Sequence, residues 1–95
     1  MSTDDMVLAF VDRIKRVGLD AEKGENLHVC CDEIDKIISE ANDAFSENGR
    51  AYALEALNDL FRKLLWDSRT GNTPYRHVMH YSIEHIKRKS DELTS

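Results

Sequence analysis

A single proline and four glycines are too few for a strand-rich fold, which needs a turn every ten or so residues. They are equally too few for a low-complexity, disordered chain. No apolar run approaches the ~20 residues that cross a bilayer, so no membrane span is expected. The opening Met1-Ser2-Thr3-Asp4-Asp5 is acidic and lacks the basic flank and uninterrupted apolar stretch of a secretory signal, which points to the cytoplasm. Cysteine occurs only as the neighbouring pair Cys30-Cys31. A bridge between neighbours distorts the backbone, and in a reducing compartment both thiols behave as small hydrophobes.

Catalytic signatures are missing as well. None of the serines sits in a Gly-x-Ser-x-Gly turn, and there is no glycine-rich phosphate loop. His80 and His85 are candidate bases, yet no motif places a nucleophile beside them. The expectation is a protein that is not an enzyme and carries no cofactor. A small bundle also leaves little room for a closed substrate pocket.

What is present is a 95-residue chain, 41% hydrophobic and 33% charged, with a formal charge of −5. A chain of this length buries roughly 60–65% of its unfolded surface, enough for one core and one domain spanning residues 1–95. The charge is unevenly placed. Residues 1–48 carry twelve acidic against five basic side chains, a balance of −7, and residues 49–95 carry six against eight, a balance of +2.

Apolar periodicity predicts an all-α protein, a small antiparallel bundle of four helices at about 4–17, 26–47, 50–67 and 74–92. In the first, Val7, Phe10, Val11, Ile14 and Val17 form one stripe, Ser2 or Thr3 supplies the N-cap, and Gly18 is the expected stop. Leu8 lies off the stripe. In the second, Leu27, Cys31, Ile34, Ile38, Ala41 and Phe45 alternate steps of four and three, and Cys30, Ile37 and Ala44 widen that seam. In the third, Leu54, Leu57, Phe61, Leu64 and Leu65 point inward with Ala53 and Leu60, and Asp59 and Lys63 form a surface pair. The fourth opens on Thr73-Pro74, with Thr73 as N-cap, and turns Tyr75, Met79, Ile83 and Ile86 inward.

Three surfaces are candidates for function. The outer side of the second helix carries Asp32, Glu33, Asp35, Glu40, Asp43 and Glu47, an acidic face suited to a protein partner with a basic surface. The bland alternative is that acidic helices complement basic ones within the bundle. The third helix aligns Tyr52, Glu55, Asp59, Arg62 and Trp66 opposite its leucines, and a Trp beside an Arg is the composition of an interface anchor, for a foreign partner or a homodimer. The bland alternative folds Trp66 back over the edge of the bundle. The fourth helix carries Arg76, His80, Lys87, Arg88 and Lys89, a nucleic-acid alternative. Against it stand a pI of about 5.3 and the stabilising effect of positive charge at a helix C-terminus.

His77, His80 and Glu84 share one helical face and suggest a metal-binding bundle as a further alternative, but they point away from the apolar stripe, whereas bundle metal ligands point inward. No metal is expected. Ionisation of all four histidines would raise the formal charge from −5 to −1, mostly on the fourth helix. The reading that collects these features is a small acidic inhibitor, of immunity type, that masks a basic functional surface of its partner with the acidic face of the first and second helices.

Overall fold

Four helices follow one another along the chain: α1 (Thr3–Glu22), α2 (Leu27–Ser46), α3 (Arg50–Asp67) and α4 (Thr73–Thr94). The computed structural model describes residues 3–95. There are no strands among the described residues, and the fold is an all-α bundle. Its long dimension of 38 Å accommodates the longest helix, α4, which rises about 33 Å over its 22 residues.

The helix ends follow from local chemistry, though not always at the expected residue. Helix α1 runs through Gly18 to Glu22, four residues past the expected stop, with Val17, Gly18 and Ala21 all buried. It ends at Gly24, whose φ of 110° only glycine adopts readily. There the Gly24 N–H donates to the Ala21 carbonyl and the Glu25 N–H to the Asp20 carbonyl, a glycine-terminated helix end. Ser2, one candidate cap for α1, lies outside the described residues, and Thr3 is the first residue of the helix rather than its cap.

The Asn26 side chain caps α2 by accepting from the N–H groups of His28 and Val29. At α4 the cap is Asn72, which accepts from the Tyr75 N–H; Thr73 and Pro74 already lie inside the helix. The amide side chain of Asn72 thus takes the role assigned to the Thr73 hydroxyl, and Pro74 still falls where its missing N–H is harmless.

One core joins all four helices, including Val7, Ile14, Ile34, Ile38, Phe45, Leu57, Leu60, Leu64, Met79 and Ile86. Burial of each such side chain contributes about 1.5–3 kcal/mol relative to leaving it in water. In α3 the buried face is Ala53, Ala56, Leu57, Leu60 and Leu64, so Ala53, Leu57, Leu60 and Leu64 turn inward as expected while the face is rotated toward Ala56. Leu54 and Phe61 are only half-buried, and Leu65 is exposed. Ala53 and Ala56 are both fully buried on this face. In α2 the seam holds from Cys30 to Phe45, but Leu27 at its start is exposed and Cys31 half-buried. In α4, Val78 and Ser82 join the four expected residues, and the Ser82 hydroxyl is satisfied by donating to the Val78 carbonyl.

Surface contacts give the arrangement. Arg13 pairs with Glu40 between α1 and α2, Asp35 meets Tyr81 between α2 and α4, and Lys15 approaches Asp67 between α1 and α3. A shallow groove separates α3 from α4, lined by Asn58, Phe61, Lys87 and Ser90. The helices therefore go round the bundle in the order α1, α2, α4, α3. Through the middle, α1 and α4 meet at Gly18, against Tyr75 and Met79.

Candidate protein-interaction site

The cap at Asn26 and the seam from Cys30 to Phe45 orient α2 so that Asp32, Glu33, Glu40, Asp43 and Glu47 all lie on its solvent side and are exposed. Lys36 is the one cation among them. Glu40 is not free: its Oε2 accepts from Arg13 at 2.6 Å. That bond holds the Glu40 carboxyl below its usual range and pushes the Arg13 guanidinium up. Arg13 also lies over the Phe10 ring, 5.6 Å from its centroid. Glu33 lines the groove between α1 and α2 near Arg13 and Arg16. Among the described residues, no cation comes within ion-pair distance of Asp32, Asp43 or Glu47. Val29, 54% exposed, adds an apolar patch one turn before Asp32 and Glu33.

Asp35 departs from this face. It sits at the α2 edge turned to α4, where its Oδ1 accepts from the Tyr81 hydroxyl at 2.8 Å. The His85 Nδ1 lies 2.9 Å from the same oxygen, but the atom is buried and the contact lacks the alignment of a hydrogen bond. Burial pushes the His85 imidazolium down, opposed by Asp35 and reinforced by Arg88 and Lys89. The ring is therefore neutral at pH 7. The bond to Asp35 raises the Tyr81 phenol, with burial adding to it. Cys31, one turn before Asp35, is pushed up by burial and then by Asp35 and Asp32, and so stays a thiol. Spacing of four residues in both Cys31–Asp35 and Tyr81–His85 was visible in the sequence. That the two pairs face each other was not.

Trp66 stands out from the end of α3 and is 72% exposed. The Arg69 guanidinium lies 5.5 Å from its ring centroid, so the indole stacks with a cation instead of folding over the bundle. Tyr52, expected on the same side, turns inward: it is half-buried and its hydroxyl donates to the Met6 sulfur at 3.3 Å. Between them Asp59 accepts from Lys63 at 2.7 Å, the expected pair, with Arg62 at 3.7 Å on the same oxygen. Trp66 also lines the groove between α1 and α3 with Leu8, Asp12 and Lys15.

On α4, Arg76, His77, His80, Glu84, Lys87 and Arg88 are all exposed, whereas Lys89 is half-buried and 3.7 Å from Glu92. Glu84 and Asp91 interrupt this basic face. No three His, Cys, Asp or Glu side chains among the described residues are grouped so as to hold a metal ion, His77, His80 and Glu84 included. No described helix is long and apolar enough to cross a membrane. Compared with models of known protein families, with curated proteins and with solved structures, the chain matches none of them.

Proposed function

We propose that this protein acts by binding another protein in the cytoplasm, as a small acidic inhibitor of immunity type that masks a basic functional surface. The observation that carries this reading is the outward face of α2, where Asp32, Asp43 and Glu47 have no internal cation to neutralise them. Glu40, by contrast, has its charge offset by Arg13, and Asp35 is turned to the Tyr81 hydroxyl. Unpaired carboxylates leave a field that steers a basic partner and disfavours acidic ones. The exposed Val29 on the same face supplies apolar area that such a contact can bury.

The experiment is capture of the partner from the native host by the tagged protein, at low and high salt. Asp32→Lys, Asp43→Lys and Glu47→Lys together abolish capture under this reading, and high salt weakens it. Retention of the partner by the triple variant overturns the reading. Retention of the protein on heparin, lost in Lys87→Ala/Arg88→Ala, would instead favour nucleic acid.

A further inference from the structure

Helices α1 and α3 run side by side in the same direction, with Met6 beside Tyr52 near their starts and Lys15 beside Asp67 near the end of α3. The face they share is polarised along its length. Toward the starts, Leu8 is 46% exposed and Glu55 is an exposed carboxylate with no ion pair among the described residues; Asp12, also exposed and without an ion pair, lies midway, lining the same groove as Lys15 and Arg62. Toward the far end stands Trp66, flanked by Arg62 and Arg69. The intervening charges are already satisfied, since Lys63 holds Asp59 and Lys15 approaches Asp67. Arg62 is second to Lys63 at Asp59 and remains 65% exposed, and Arg69 lies over the indole with no ion pair among the described residues.

One surface thus carries an apolar side chain with spare negative charge at one end and an apolar side chain with spare positive charge at the other. Glu55 and Arg62 are two helical turns apart, about 10 Å. Such a surface is complementary to itself turned end for end, which is the condition for a two-fold, isologous contact. A foreign acidic segment would satisfy the arginines and oppose Asp12 and Glu55. A second copy satisfies both ends.

We propose that the α1/α3 face is a homodimer interface in which Trp66 of each copy covers Leu8 of the other, and Arg62 and Arg69 meet the other copy's Asp12 and Glu55. The anchor is the indole: large, rigid and solvated in the single chain, it gains most from being covered. The contact leaves the outward face of α2 open, so it is independent of the acidic-face reading, and either can fail without the other.

The chain contains a single tryptophan, so its fluorescence reports this one site. As concentration rises, sedimentation shows a monomer passing to a dimer, and Trp66 emission shifts to the blue over the same range. Trp66→Ala weakens the dimer about thirtyfold or more, while circular dichroism shows the helices intact. Arg62→Glu/Arg69→Glu and Asp12→Arg/Glu55→Arg are each monomeric alone. Mixed in equal amounts they form a heterodimer, because both ends of the contact are then complementary again. A protein that stays monomeric with fully solvated tryptophan emission at every concentration overturns the proposal. So does a dimer indifferent to these substitutions, or two charge variants that fail to associate when mixed.

Discussion

Gly18 of α1 and Tyr75 of α4 are in direct contact: a β-carbon at residue 18 would stand 2.9 Å from two carbons of the tyrosine ring. The glycine lies inside a continuous helix, so its role is to let the ring in rather than to end the helix. Gly18→Ala gains up to about 1 kcal/mol of helix propensity but forces a buried ring to move, an overpacking cost of about 1–3 kcal/mol. The expected result is a net loss of about 1 kcal/mol, or about 4–8 °C in Tm. With Tyr75→Leu in place, the same substitution becomes neutral or stabilising. Thermal unfolding of the two single variants and the double variant checks both signs.

The rotation of α3 has a plain mutational signature. Leu60→Ala removes a fully buried side chain and costs about 2–5 kcal/mol. Leu65→Ala removes one that is 41% exposed, and its cost stays near or below about 1 kcal/mol. Equal losses at the two positions in urea unfolding would contradict this orientation of the helix.

Asp35 and Tyr81 form a charge-assisted hydrogen bond across α2 and α4. Tyr81→Phe is expected to cost about 1.5–3 kcal/mol, the range for a bond to a charged acceptor. In an Asp35→Ala background the same change costs much less, because the acceptor has gone. Removal of Asp35 also lowers the Tyr81 phenol back toward its ordinary value, which absorbance titration reads directly.

His85 ties stability to pH in the mildly acidic range. Its folded-state pKa lies below the ordinary 6.5, chiefly through burial, while Asp35 alone pulls the other way against Arg88 and Lys89. The unfolded chain therefore takes up a proton before the folded chain does. The neutral ring's contribution is fully present above about pH 6.5 and declines as pH falls toward the folded-state value. His85→Gln does not titrate, so its stability relative to the native protein improves between about pH 7.5 and about pH 5.5. Denaturant unfolding at both pH values checks the sign. Glu40 acts in a lower window, since its depressed pKa makes its contribution fall away only as pH drops below 4.5.

Much of the secondary structure was legible because it is written locally. The α2 seam, the α4 stripe and the short break at residues 47–49 depend on residues three and four apart, and those neighbours are set by the chain itself. Proline at the start of α4 and the Asp59–Lys63 pair are legible for the same reason. Errors arose where two local signals compete. Gly18 is a good helix stop in isolation, but Ala21 is buried and Gly24 supplies a better end. In α3, leucines and alanines surround much of the helix, so periodicity found Ala53, Leu57, Leu60 and Leu64 but centred the inward face too near Leu65 and missed Ala56.

The candidate site divides along the same line. That α2 bears an acidic outer side follows from sequence, since Glu33, Glu40 and Glu47 recur every seven residues opposite the isoleucines. Which of those carboxylates are engaged within the bundle was decided only by packing, which set Arg13 against Glu40 and turned Asp35 toward Tyr81 and His85. Composition and periodicity determined an all-α chain with its negative charge concentrated in the first half. Tertiary structure alone decided that Trp66 is solvated, that Tyr52 is half-buried against Met6, and that Leu8 and Trp66 share one groove. The physical reason is that helix propensity and amphipathicity act within a few residues, while exposure and ion pairing depend on how one helix is rotated against another.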